Sequence, residues 1–351
     1  MRIATYNVEW FNALFDDEGL PQDDSQLSAR RGVTRGEQLG ALGIVFTAID
    51  ADMILVIEAP DQSSSRKTLT ALENFAALFG LRARRAVMGF ANDTQQEIAV
   101  LYDPYVIDAR HDPHGRLRGG RGQDGAPRFD GVFRIDLDID ATADQVRFSK
   151  PPLELAVRLL ASGAEIRVIG VHLKSKAPHG ATSSDQVMRL SVANRRKQLA
   201  QAIWLRRRID EELERGTPLI VMGDLNDGPG LDEFEGLFGR STLEIVMGDA
   251  PGRALHDPHA RRALHQRVGA AVPASARFLL APRVRGDGEA GARYLSALLD
   301  YILVSPDLRG RARDWRIWHP FDDPGCWNVP ELRDALLAAS DHYPVTVDLD
   351  I

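Results

Sequence analysis

Short runs of β-branched and aliphatic residues recur from one end of the chain to the other. They are Arg2–Val8, Asp52–Glu58, Ile98–Tyr102, Phe133–Ile139, Leu153–Leu159, Glu165–Leu173, Pro218–Gly223, Leu298–Val304 and Tyr343–Leu349. Runs this short and this rich in Val and Ile read as strands rather than helices. How they end constrains the fold further. Asn7 follows Ile-Ala-Thr-Tyr, Glu58 follows Met-Ile-Leu-Val-Ile, His172 follows Arg-Val-Ile-Gly-Val, and Asp224 and Asn226 follow Leu-Ile-Val-Met-Gly. One polar strand end is unremarkable, and a lone Asn226 in Asn-Asp-Gly would be an ordinary turn residue. Several together point to a working edge of a sheet, where the last strand residue meets solvent while the core holds its backbone rigid.

Helical patterns lie between some runs. Thr34 followed by Glu37 makes a capping box ahead of Leu39, Leu42, Val45 and Ile49, which share one face. Leu69, Leu72, Phe75 and Leu78 form a second apolar face, and Ser191–Arg215 reads as a third helix with Leu199, Ile203, Ile209 and Leu213 apolar. Its Arg195, Arg196, Arg206, Arg207 and Arg208 are expected on a solvated face. Other strands are separated only by turns such as Tyr102-Asp103-Pro104-Tyr105, so the expected class is α/β with mixed sheets. With no repeat and no linker in 351 residues, one domain over 1–351 is expected.

Composition removes several functions. Forty-three basic against fifty acidic residues give a net charge of −7, which argues against gripping nucleic acid by bulk charge. The single cysteine, Cys326, excludes a disulfide framework and a cysteine-based zinc cluster, and it reads as structural. No run suits an export signal or a membrane span, so a cytoplasmic location is expected. Positive charge is concentrated in two stretches expected to be mobile loops: 110–130, with five arginines and three aspartates, and 253–293, with eight arginines and three acids.

The C-terminal half adds Leu299-Asp300-Tyr301-Ile302 and Ser340-Asp341-His342-Tyr343-Pro344. Asp341 and His342 precede the last strand, so they are expected to meet the ends of strands running the other way. Six runs now resemble the endonuclease/exonuclease/phosphatase superfamily, which includes pancreatic deoxyribonuclease, apurinic endonucleases and inositol-polyphosphate 5-phosphatases. They are Ala4-Thr5-Tyr6-Asn7-Val8-Glu9-Trp10, Ile57-Glu58, Val171-His172-Leu173-Lys174-Ser175-Lys176, Gly223-Asp224-Leu225-Asn226-Asp227 and the two C-terminal runs, all in the family's order. The resemblance implies a four-layer αββα sandwich of two mixed β-sheets, deoxyribonuclease-like, and a metal-dependent phosphoric ester hydrolase.

By that resemblance, Glu58 is the main ligand for Mg²⁺ or Mn²⁺, with Asn7 and Asp341 near the ion. Oxygen donors of this kind suit a hard cation. Asp224 resembles the carboxylate that orients or deprotonates the attacking water, and Asn226 the amide that holds a phosphate oxygen. His342 would touch the scissile phosphate, with Asp300 fixing its tautomer. His172 matches the second histidine of the deoxyribonuclease branch, with Glu97 as its expected partner. Lys150, Lys174 and Lys176 are candidate substrate-binding cations. Two positions depart from the family: Ile57 stands where Gln usually precedes the metal-binding Glu, and Lys150 stands where Arg precedes the prolines, losing a bidentate fork.

If Glu97 starts its strand at the site, the next strand returns and loop 110–130 emerges there. Segment 253–293 would arrive through Asp300. Two arginine-rich loops around a phosphate-cleaving centre suit a polyanion. Nucleic acid is therefore the expected substrate, with a small-molecule or lipid-headgroup phosphate ester as the alternative.

Overall fold

The computed structural model describes residues 1–117, 125–136, 144–177, 180–229, 239–266, 274–280 and 293–351. The strands are β1 (Arg2–Asn7), β2 (Met53–Ala59), β3 (Arg85–Met88), β4 (Glu97–Tyr102), β5 (Ile107–His111), β6 (Phe133–Ile135), β7 (Asp144–Val146), β8 (Leu153–Leu159), β9 (Glu165–His172), β10 (Leu219–Asp224), β11 (Ala276–Leu280), β12 (Arg293–Ala297), β13 (Asp300–Val304), β14 (Ala312–Ile317) and β15 (Val345–Leu349). One sheet has the order β14-β15-β1-β2-β4-β3 and the other β13-β10-β9-β8-β5, while β6-β7 and β11-β12 form two-stranded ribbons. In the first sheet β1 is parallel to β2 and antiparallel to β15. In the second β10 is parallel to β9 and antiparallel to β13.

The sheets pack face to face, β1 and β2 against β10 and β4 against β9. Strands covered on both sides cannot alternate polar and apolar residues, which is why the central strands read as unbroken apolar runs. Ile3 through Tyr6, Met53 through Ile57 and Leu219 through Met222 are all buried, whereas the edge strand β5 alternates buried and exposed residues.

Helices cover the outer faces. Helix α1 (Arg35–Ile49) starts where the capping box places it, with Glu37 N–H donating to Thr34 Oγ1 at 3.2 Å and Thr34 N–H to the Glu37 carboxylate at 2.8 Å. It lies beside helix Pro330–Ala339 and sets Phe46 against Tyr6 of β1. In α2 (Thr68–Leu78) the buried face is Ala71, Leu72, Phe75 and Ala76, while Leu69 and Leu78 of the expected face are exposed. The four-residue spacing of small and large residues wins over the Leu spacing, because Phe75 fills the space between Phe11 and Phe46. Helix α3 (Ser184–Arg215) covers the second sheet and begins seven residues earlier than its apolar pattern suggests, capped by Ser183.

Two expectations are corrected here. The arginines of α3 are not all solvated: Arg195 and Arg208 are buried, Arg195 paired with Asp227 at 2.7 Å and Arg208 with Glu154 of β8 at 3.0 Å. A charge at these positions is tolerated because a buried carboxylate faces each. The turn after Tyr102 is not a hairpin, because β5 pairs with β8 in the opposite sheet. Asp103 bends the chain between the layers, its carboxylate accepting Tyr105 N–H and its own N–H donating to Asp52 O.

Among the described residues, no helix is long and apolar enough to cross a membrane.

Candidate active site

Strand direction assembles the site. The parallel pairs β1/β2 and β9/β10 end at Asn7, Glu58, His172 and Asp224. Strands running the other way begin there, β4 at Glu97 and β13 at Asp300, which lies opposite Asp224 in register. The Ser340-Asp341-His342 segment enters the same edge ahead of β15.

Asp224 is the hub. Its Oδ1 accepts Asn226 N–H at 2.7 Å, and its Oδ2 accepts the side-chain amides of Asn226 and Asn7, both at 3.1 Å. Burial and then the charge of Asp300 push its pKa up to about 7, against the pull of His342 and the Asn226 N–H. A base near neutrality is the range in which proton transfer is most effective. Gly223 makes this placement possible. Its φ is 131°, and a Cβ there would lie 2.1 Å from Val171 O, so any side chain would push β10 off β9. Asn226 at φ 50° adopts the left-handed turn that Asn tolerates, which returns its Nδ2 to Leu173 O at 3.0 Å.

His342 Nδ1–H donates to Asp300 Oδ2 at 2.8 Å, leaving Nε2 as the other ring nitrogen. Burial opposes its charge, yet Asp300, Asp224 and Asp341 together hold its pKa well above 6.5. Two serines lock this pair. Ser275 Oγ donates to Asp300 Oδ2 at 2.8 Å and accepts the N–H groups of Leu299 and Asp300, both at 2.9 Å. Ser340 Oγ donates to Asn7 O at 2.8 Å and accepts the N–H groups of Glu9 and His342. Neither serine was among the sequence candidates, since a serine ahead of a strand carries no periodic signal.

Glu58 sits at φ 61° in a bulge where β2 slips against β4 between Ile57 and Ala59. Such a conformation costs about 1–3 kcal/mol and re-aims the side chain. Burial raises the Glu58 pKa and Asp341 adds to it, while Lys150, His342 and the Trp10 N–H hold it down. Glu9, half-buried and paired with Arg30, is likewise raised by burial and by Asp341 and Glu58. It stands in the first quoted run, yet spacing alone did not single it out.

A divalent cation fits these residues. Asn7 Oδ1 is buried without a hydrogen-bond partner, and the nearby Asp341 carboxylate raises the pKa of both Glu58 and Glu9. Both features are what an oxygen-bound cation relieves. Asp224, Asp300 and His342 also offer ligand-type atoms that lie within 4.8 Å of one another. There the His342–Asp300 hydrogen bond already occupies one ligand atom from each.

The histidine–glutamate pairing is corrected. Glu97 accepts Asn92 Nδ2–H at 2.6 Å and the N–H groups of Asn92 and Gln62 at 3.3 Å, tying together two loops of the edge. His172 instead meets Lys150, whose Nζ lies 3.0 Å from Nε2 and 3.1 Å from Nδ1, and its Nε2 is 3.6 Å from Asp224 Oδ2. Burial, Lys150 and His342 hold the His172 pKa well below 6.5, so the ring is neutral. Lys174 is half-buried, its pKa lowered by burial and by Lys197. Lys176 pairs with buried Asp227, which also holds Arg195.

The arginine-rich stretches divide. In 110–130, Arg208 draws the carbonyls of His114, Ala126 and Pro127 onto α3, and residues 118–124, with Arg118 and Arg121, lie outside the described residues. Among the described residues of this stretch, Asp130 lines a cavity of about 300 Å³ shared with Gly131, Asn92, Ser149 and Pro151. In 253–293, β11 arrives at the site: Ala276 bridges His342, and Arg277 N–H donates to Asp341 O at 2.7 Å. Residues 267–273 and 281–292 lie outside the described residues.

A model of the Endonuclease/Exonuclease/phosphatase family matches residues 4–342. The chain belongs to that family, whose members are metal-dependent phosphoric ester hydrolases. Solved structures similar to it include a 3′ phosphatase from Neisseria bound to a product DNA hairpin, at 17% identity, TM-score 0.46 and 100% coverage of both chains. Others are a mannosyl-6-phosphatase from Bacteroides thetaiotaomicron, at 15% identity, TM-score 0.48 and 100% coverage of both chains, and an AP endonuclease from Archaeoglobus fulgidus, at 13% identity, TM-score 0.45 and 100% coverage of both. No curated protein matches the chain.

Proposed function

We propose that the chain hydrolyses phosphodiester bonds in nucleic acid, with Asp224 as the base for the attacking water. The observation that carries this reading is the convergence on Asp224 of the Asn226 and Asn7 amides, beside an Asp300–His342 pair. A phosphodiester resists attack because its oxygens are anionic, so the site must cancel charge and aim a water. Mg²⁺ or Mn²⁺ held by Glu58, Asn7 and Asp341 would supply Lewis-acid neutralisation of the phosphate. Asp224 accepts the proton of the water, which the two amides help aim by fixing the carboxylate. Protonated His342 donates a hydrogen bond from Nε2 to a phosphate oxygen, while Asp300 keeps the ring charged and oriented. As the water oxygen bonds to phosphorus, the ester P–O bond opposite it breaks, and the departing oxygen takes its proton from solvent. Neutral His172 and cationic Lys150 line the other flank, next to Asp224.

Support for a polymeric substrate comes from the basic stretch 253–293, which reaches the catalytic edge through β11 and brings Arg277 with it. The test is a substrate panel: plasmid DNA, RNA, bis-p-nitrophenyl phosphate and p-nitrophenyl phosphate, each with and without Mg²⁺ or Mn²⁺. Nucleic acid and the diester should be turned over, and the monoester poorly. Preference for p-nitrophenyl phosphate over every diester would replace this reading with that of a phosphatase acting on small esters.

A further inference from the structure

Trp10 stands in a backbone conformation that a bulky residue seldom takes, with φ 55° and ψ 38° at the start of the short 3₁₀ turn Phe11–Leu14. It follows Val8 and Glu9, whose N–H groups donate to Ile57 O and Ser340 Oγ, and its own N–H helps hold down the Glu58 pKa, which puts the residue at the rim of the metal-binding edge. The indole is 44% exposed, and among the described residues no aromatic ring or cation lies against it. The other tryptophans differ. Trp204 and Trp318 are buried, Trp315 rests on His256, and exposed Trp327 lies under the Arg333 guanidinium. No ring or guanidinium among the described residues stacks on this indole, and the N–H near Glu58 would be present in any residue but proline. The ring itself therefore asks for a partner outside the chain.

We propose that Trp10 is a substrate-stacking residue, its indole offering a flat apolar face to the nucleobase next to the scissile phosphate. This rests on the nuclease reading above and narrows it to substrates with an unpaired base at that position. Base–aromatic stacking tolerates any base, because every base has a π-face. A sugar phosphate has no π-face, so it can neither stack nor quench the indole as a base does.

The experiment uses Asp224→Asn protein with Mg²⁺, so that substrate is not consumed, and a short single-stranded oligothymidylate. Binding is read as quenching of tryptophan fluorescence, with deoxyribose 5-phosphate as the ligand that lacks a base. Trp10→Gly is then added, because glycine takes φ 55° without strain and keeps the N–H. The proposal expects oligonucleotide quenching that deoxyribose 5-phosphate does not reproduce. In the glycine variant that quench should disappear and affinity should fall by about five-fold or more, the lower end of one stack. The melting temperature should stay level or rise. Unchanged affinity and quench in the glycine variant would overturn the proposal, as would a loss accompanied by a lowered melting temperature. Failure of the oligonucleotide to bind Asp224→Asn protein, with wild type active only on a monoester, would remove the nuclease reading and this inference with it.

Discussion

Asp224 and His342 are both buried, and the proposed reaction uses them in opposite protonation states, one raised towards neutrality by burial and the other held charged by carboxylates. Neither contributes to an apolar face, so removing either should spare the fold and strike the reaction. Asp224→Asn and His342→Ala should each lower kcat by at least about 10²-fold, the scale of a positioned acid–base group. Initial rates on bis-p-nitrophenyl phosphate, with circular dichroism as the control for folding, check this; half-normal activity in either variant would end its assigned role. Asp300→Asn should act in the same direction as His342→Ala. Their double variant should be clearly less than additive, since the 2.8 Å hydrogen bond makes them one unit. At this scale the sequence was legible wherever a polar residue closed an apolar run, as with Asn7, Glu58, His172 and Asp224. Ser275 and Ser340 were hidden because their work is to bond backbone and side chains far along the chain, 25 residues from Asp300 and 333 from Asn7.

Among elements, α3 is where pattern reading and structure part most clearly. Five arginines on a helix look solvated from the sequence, yet Arg208 and Glu154 meet with almost no exposure, 1% and 0%. Partner choice across a helix–sheet interface is a tertiary matter that helical periodicity does not encode. Burial pushes the Glu154 pKa up to about 7 despite Arg208. The folded protein thus keeps the Glu154 proton between the ordinary 4.5 and about 7 while the unfolded chain releases it, and this group's share of stability falls as pH rises through that window. Arg208→Met should therefore destabilise by about 3–5 kcal/mol where Glu154 is ionised, above pH 7, through a stranded buried carboxylate. The penalty should shrink on the acid side of that value, where Glu154 can stay protonated. Urea unfolding across pH checks this. A penalty that does not grow with pH would mean that Arg208 acts through packing and its bonds to the His114, Ala126 and Pro127 carbonyls alone.

The whole molecule is organised around one edge where two sheets of mixed direction bring strand ends and strand starts together. That much follows from the sequence, since Asp300 and Asp341-His342 stand at strand starts and the other candidates at strand ends. Which sheet each strand joins does not follow, and β5 crossed to the second sheet because the Asp103 turn bends between layers. The same crossing carries the chain towards α3 rather than simply out beside the site.

If this edge is an oxygen-lined cation site serving a phosphoester hydrolase, the rate of bis-p-nitrophenyl phosphate hydrolysis must follow free Mg²⁺ or Mn²⁺, and must do so differently in wild type and Glu58→Gln. Wild type should be silent in excess chelator and saturate with metal. Glu58→Gln should need at least about tenfold more metal, since even residues that only orient a ligand change affinity by 10–100-fold. Full activity in excess chelator, or the same metal requirement in both proteins, would contradict the account.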